Sequence, residues 1–203
     1  MIERFIDQSS RARLASGNPH KLAELRDALP GWEIELLGTG AFPPEEGATF
    51  YENARAKAEH GRAGGDPEAW VLGEDSGIEV AALGGAPGIE SARWAEDGVA
   101  RLLAELKGIE DRRARYVCEL VALSGDGEEL RGTGTLDGTI ARTRRGGEGF
   151  GYDPVFVPLG ETQTVAELGN EWKASSSHRA SAARALTLAL RRRSQRGGAR
   201  GTS

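Results

Sequence analysis

Two carboxylates stand side by side at Glu74 and Asp75, preceded by the apolar pair Val71 and Leu72 and followed at once by Ser76 and Gly77. Acids closing an apolar strand add little to packing. Carboxylates, hydroxyls and water are, however, the ligands that a hard cation such as Mg²⁺ takes. The same string also reads as a polar strand end running into a turn, since acid-Ser-Gly is common turn chemistry. A second turn follows at Gly84-Gly85-Ala86-Pro87-Gly88, and a further acidic loop lies upstream at Pro43-Pro44-Glu45-Glu46-Gly47.

Cations and rings that could meet a ligand occur in three other places. Ser16, Gly17, Asn18, Pro19, His20 and Lys21 lead into apolar positions at Leu22, Leu25 and Leu29, which recur at helical spacing. Backbone N–H groups at a helix start form an anion site, to which Lys21 adds a point charge. Equally, Ser16 or Asn18 simply caps the helix. The glycine spacing of a Walker motif is missing. In residues 146–158, Phe150 and Tyr152 alternate around Gly151, with Asp153 next, so one ring could stack on a base while the other joins the core. Core aromatics on a glycine-loosened strand entry are the other reading. Lys173 precedes Ser177, His178 and Arg179. There Ser177 caps a final helix, and the two cations sit in its first turn against the helix dipole. That placement, unfavourable for the helix, points to service for a ligand.

The elements that must position these groups follow in mixed order. Strands are expected near residues 13–15, 32–37, from 71 to the acids at 74–75, and 115–123. The last of these turns at Ser124-Gly125-Asp126-Gly127 into a returning strand over 129–134, with another turn between Gly134 and Gly138. Helices are expected from 21 to 29, from 50 to about 63 behind a Thr49 cap, from 99 to about 106, from about 164, and from 180 to about 192. The 50–63 helix, alanine-rich and punctuated by Glu52, Asn53 and Lys57, reads as scaffold, and Arg112, Arg113 and Arg115 as a solvated face. The expected architecture is one α/β unit with a mixed sheet in two lobes and a cleft between them. Residues 1–192 form the catalytic domain in this view, and 193–203 an Arg/Gly-rich tail expected to be disordered.

Composition narrows the classes. The 203 residues are 38% hydrophobic, enough for one substantial core or two lobes sharing a sheet. A formal net charge of -5 argues against a basic nucleic-acid binder and against stable nucleic-acid partnership. The single cysteine, Cys118, lies in an apolar run and excludes a disulfide framework within the chain, and no Cys/His array offers a zinc site. No stretch reaches the length of a membrane span and no signal pattern opens the chain, which fits a cytoplasmic protein.

Six motifs then occur in order: Ser16-Gly17-Asn18-x-x-Lys21, Thr49-Phe50-x-Glu52-Asn53-Ala54, Glu74-Asp75-Ser76-Gly77, Leu83-Gly84-Gly85-Ala86-Pro87-Gly88, Gly149-Phe150-Gly151-Tyr152-Asp153-Pro154 and Ser177-His178-Arg179. Together the chain resembles the inosine triphosphate pyrophosphatase family, which clears deaminated purine nucleotides. The resemblance runs over about residues 14–190. It implies hydrolysis of ITP, dITP and XTP to the monophosphate and pyrophosphate with Mg²⁺, a two-lobed α/β fold with a long curved sheet, and a homodimer. It also implies roles. Asp75 is the catalytic acid and a metal ligand, joined at the metal by Glu74 and by Glu45 or Glu46. Ser16 to Lys21, Ser76, Phe150 to Asp153, Lys173, His178 and Arg179 contact substrate, with Lys21 and Lys173 neutralising the triphosphate. Glu74 departs from the Asp usual at its position in that family. Competing readings are a pyrophosphatase for modified pyrimidines, a phosphatase using the same acids, and a nucleotide- or RNA-binding module.

Overall fold

The computed structural model describes residues 10–38, 43, 45–63 and 66–198. The chain opens on strand β1 (Ser10–Leu14), helix α1 (Pro19–Ala28) and strand β2 (Trp32–Leu36). Asn18 caps α1, its side chain accepting from the His20 N–H, and Pro19 occupies the first turn, where no N–H is needed. Helix α2 (Phe50–Arg62) starts at the expected Thr49 cap. Then come strand β3 (Trp70–Val80), two short 3-10 turns around Gly84 and Gly85, and helix α3 (Gly98–Glu105). Strands β4 (Arg113–Leu123), β5 (Glu129–Ile140) and β6 (Phe156–Pro158) precede helices α4 (Val165–Ser176) and α5 (His178–Gly198). Thr164 and Glu167 form a capping box at the start of α4, and Ser177 Oγ accepts from the Ala180 N–H at the start of α5.

The strands make one open mixed sheet in the order β2-β1-β3-β4-β5-β6. β1 runs parallel to both β2 and β3, and the remaining pairs are antiparallel. Two larger hydrophobic clusters share the sheet, beside a smaller one at Ala54, Ala58, Val121 and Leu123. One joins Leu14, Leu25 and Ile34 to Leu72, Leu120, Ala183 and Leu186; the other joins Ile78 and Val80 to Leu102, Leu106, Ile140 and Phe156. β3 and β4 pass through both. Each fully buried Leu or Ile contributes roughly 1.5–3 kcal/mol relative to exposure. The mixed α/β architecture is therefore as expected.

Two local expectations fail at strand glycines. Glu74 and Asp75 do not end a strand: β3 continues through Ser76 and Gly77 to Val80. β5 likewise runs unbroken through Gly134 and Gly138, where a turn was expected. In these two strands Gly73 and Gly134 make room for helices, and Gly138 for the neighbouring strand β6. A Cβ on Gly73 would lie 1.9 Å from the Ala54 carbonyl oxygen of α2, and one on Gly134 would lie 2.0 Å from the His178 carbonyl oxygen of α5. Only a bare backbone lets the helices sit so close. α5 also extends through Gly198, past its expected end near 192. Arg193, placed in the tail by sequence, pairs with Glu128 and covers the Trp70 ring at 5.3 Å. Residues 199–203 lie outside the described residues. Arg112 differs from its exposed neighbours Arg113 and Arg115, since it is half-buried and donates to the carbonyl oxygens of Ile140, Leu106 and Ala141.

Candidate active site

Alternation along β3 separates the two adjacent acids. Asp75 faces α2 and Glu74 faces α5. On the α2 side, Lys57 Nζ donates to Asp75 Oδ1 at 2.9 Å, to the Glu74 carbonyl oxygen at 3.2 Å and to Glu45. Asn53 Nδ2 lies 3.2 Å from Asp75 Oδ2. Burial pushes the Asp75 carboxyl above its ordinary value, although Lys57 pulls against it. Glu45 is held low: burial raises it, and the neighbouring Lys57 and Arg93 outweigh that. Burial by itself would depress Lys57, but Asp75 and Glu45 keep it charged and raise it. This cluster borders an open cleft of ≈ 540 Å³ that Ser16, Gly17, Asn18 and Lys21 line from the opposite wall. Arg93, paired with Glu45 and Glu90, closes its rim.

On the α5 side lies a smaller slot of ≈ 150 Å³, sharing Asn18, Lys21 and Ala92 with that cleft. Glu74 is fully buried here. Its Oε1 accepts from Arg179 Nη2 at 2.8 Å and Nε at 3.1 Å, and its Oε2 lies 2.6 Å from Lys21 Nζ, an ion pair out of line for a hydrogen bond. Burial would raise this carboxyl, but Arg179 and Lys21 hold it well below the usual carboxylate range. Arg179 also donates to Ser76 Oγ at 2.9 Å and to Glu24. Lys173 Nζ donates to Asp153 Oδ2 at 2.6 Å and stands 4.6 Å from the Phe150 ring centroid. Asp153 is spent on protein donors, since it also accepts from Tyr116 Oη and the Phe150 N–H.

Rings line the same slot. His178 stacks on Tyr116 at 4.5 Å and 12°, with its Nδ1 buried and without a partner. Burial and the adjacent Arg179 hold its pKa well below 6.5, so the imidazole is neutral. His20, in the first turn of α1, stacks on Phe150 at 5.3 Å. Phe150 is half-buried at the slot, while Tyr152 belongs to the second core and its hydroxyl donates to the Ser91 carbonyl. Both rings line the slot.

Nearly all the residues singled out from sequence meet around these two joined spaces. Two are placed differently from their expected company. Glu74 lies with Lys21 and Arg179 rather than with Asp75 and Glu45, because neighbours on a strand point to opposite faces. Lys173 stands in the slot rather than in the open cleft. Four contributors were passed over: Asn53 and Lys57, read as scaffold, and Glu24 and Tyr116. The signal for the first two was available, since polar residues four apart on an alanine helix share a face. Among the described residues no group of three or more acidic, His or Cys side chains could hold a metal alone, and no helix is long and apolar enough to cross a membrane.

Comparison with known proteins follows the same lines. The Ham1 family profile matches residues 12–189. A dITP/XTP pyrophosphatase of Bdellovibrio bacteriovorus is 42% identical over 187 residues, covering 85% of this chain and 94% of that protein. A dITP/XTP pyrophosphatase of Thermus thermophilus is 44% identical over 191 residues, covering 88% of this chain and 90% of its own. The solved structure of the Staphylococcus aureus Ham1 protein superposes with a TM-score of 0.78 at 34% identity, covering 91% of this chain and 100% of that one. Likeness of that extent bears out the kinship read from six ordered motifs: the chain belongs to the Ham1 family.

Proposed function

We propose that the protein hydrolyses deaminated purine nucleoside triphosphates, dITP, ITP and XTP, to the monophosphate and pyrophosphate. The observation that carries this is the pairing of a base-sized slot, lined by Phe150, His178, Lys173 and Arg179, with an adjoining cleft lined by Lys21, Glu45 and the Lys57 that holds Asp75. The chain's similarity to dITP/XTP pyrophosphatases supports the substrate class.

The base is chosen by hydrogen-bond chemistry. A guanidinium has five N–H donors, and the four contacts of Arg179 leave one on Nη1. Lys173 keeps one of its three, after Asp153 and Glu24. Hypoxanthine and xanthine present a carbonyl acceptor at position 6, whereas adenine presents an amino donor. Donor against donor leaves buried groups unpaired, at about 1–3 kcal/mol each. The partnerless Nδ1 of His178 is a further group that a bound base would satisfy.

At the other end water attacks the α-phosphorus. Its oxygen forms the new P–O bond, its proton passes to Asp75, and pyrophosphate leaves with the electrons of the broken anhydride. Lys57 and Asn53 hold the Asp75 carboxylate in one orientation, and the raised pKa makes it a better proton acceptor. Lys21 and the backbone at the start of α1 meet the phosphates. The Lys57 ammonium already occupies a point where Asp75 and Glu45 converge, so the donor set fits a divalent cation bound by two carboxylates and completed by substrate phosphates. Asp75 and Glu45 would hold Mg²⁺, which when bound supplies charge neutralisation for the phosphates.

Pyrophosphate release from a panel of ITP, dITP, XTP, GTP and ATP, with and without Mg²⁺, tests the reading. Release of single phosphate, or no turnover of any deaminated nucleotide, overturns it. The resemblance further supports a homodimer working on the cytoplasmic nucleotide pool. Light scattering checks the first statement and cell fractionation the second.

A further inference from the structure

Glu24 has no part in the reaction as derived above, yet it touches both cations of the slot. It sits on α1, with its side chain only 12% exposed. One oxygen lies 2.6 Å from Lys173 Nζ on α4, and the other accepts from Arg179 Nη1 on α5. α1 packs against both helices, so this carboxylate ties three elements at one point. Around the slot, Lys21, Lys173 and Arg179 face Glu24, Glu74 and Asp153, three positive charges against three negative.

That balance has a consequence for what enters. A triphosphate carries its negative charge at one end and an uncharged ring at the other. A slot with surplus positive charge would draw in the phosphate end and hold the nucleotide reversed. Charge-assisted hydrogen bonds also direct the remaining donors: with Glu24 on Nη1, the one free N–H of Arg179 has a fixed direction.

We propose that Glu24 is a positioning residue for base recognition: its carboxylate holds Lys173 and Arg179 in one arrangement and cancels their excess charge, so that the slot admits a ring and not a phosphate. The proposal deepens the purine reading of the slot and rests on it.

Two variants test it. Glu24→Gln keeps shape and one acceptor and loses the charge; Glu24→Ala loses all three. In Glu24→Ala the KM for ITP rises about tenfold and the preference for ITP over ATP falls about tenfold, the scale of one lost charge-assisted hydrogen bond. The kcat on ITP stays within about threefold, since the Asp75 end is untouched. Inhibition by added pyrophosphate tightens in both variants, because the slot now carries a net positive charge. Glu24→Gln falls between parent and Glu24→Ala in KM. A merely structural role would lower kcat and raise KM in equal proportion on every nucleotide and leave pyrophosphate inhibition unchanged, and that result overturns the proposal. So do variants that match the parent in KM, preference and inhibition. A parent that releases no pyrophosphate from ITP sinks the purine reading itself, and this inference with it; an active parent with unaltered variants sinks the inference alone.

Discussion

Lys57 Nζ lies 2.9 Å from Asp75 Oδ1, and every one of its donors is engaged, the other two by the Glu74 carbonyl oxygen and by Glu45. The lysine thus aims the carboxylate and keeps it apart from a second one. Lys57→Ala leaves Asp75 with Asn53 and beside a Glu45 still paired with Arg93. We expect kcat on ITP to fall by about 10²-fold or more, as when a general base loses its orientation, and Asp75→Asn to fall by about 10²–10⁴-fold. Steady-state pyrophosphate release measures both, with a thermal melt to confirm folding. Lys57→Ala turning over at the parent rate would remove the lysine from the machinery.

Arg179→Lys keeps a charge but gives up the fork that bonds Glu74, Ser76 and Glu24 together. The kcat/KM for ITP should drop about 10-fold to 100-fold, one to two hydrogen bonds to charge, while the slow rate on ATP stays where it was. Equal losses on both nucleotides would contradict base reading by this side chain.

The pH profile carries its own sign. Asp75 must be ionised to take a proton, and its folded pKa is raised by burial against the pull of Lys57. Activity is therefore complete above that raised value and lost as pH falls through it, with the acid limb above the ordinary aspartate value of 3.8. Removing the Lys57 cation disfavours the ionised form further, so the limb moves to higher pH in Lys57→Ala. A kcat–pH profile shows the direction; a limb moving to lower pH would refute the assignment.

Gly134 bears on α5 rather than on any turn. A Cβ there would meet the His178 carbonyl oxygen at 2.0 Å and the Ala182 nitrogen at 2.4 Å, both rigid backbone. Gly134→Ala should cost about 1–3 kcal/mol in a denaturant melt, the usual scale of overpacking, and lower kcat/KM for ITP by displacing His178 and Arg179. A variant as stable and as active as the parent would mean that α5 can shift freely.

Much of this was legible in the residues. Caps at Asn18, Thr49 and Ser177 announced three helices, because a side-chain acceptor must satisfy the first free N–H groups. What stayed hidden depends on faces and on distance along the chain. Glycine in a strand looks the same whether it bends the chain or admits a helix, so the pattern alone does not carry β5 past Gly134. Adjacent acids look like partners until the strand's alternation sends them to opposite sides. Glu24 and Arg179 are 155 residues apart, and nothing in either neighbourhood announces the other.

The bare backbone of β5 has one more effect. Ser76 is registered with Cys118, Cys118 with Gly134, and Gly134 lies directly beneath the carbonyl of His178. The span between the residue that follows Asp75 and the helix turn that carries His178 and Arg179 is thus main chain throughout, with no rotamer to slacken it. On the proposed reading it works as a calliper: a ring seated in the slot at one jaw would bring the α-phosphorus to the other. Turnover in ¹⁸O-labelled water reads the gauge directly, since the label must appear in the nucleoside monophosphate and not in the pyrophosphate.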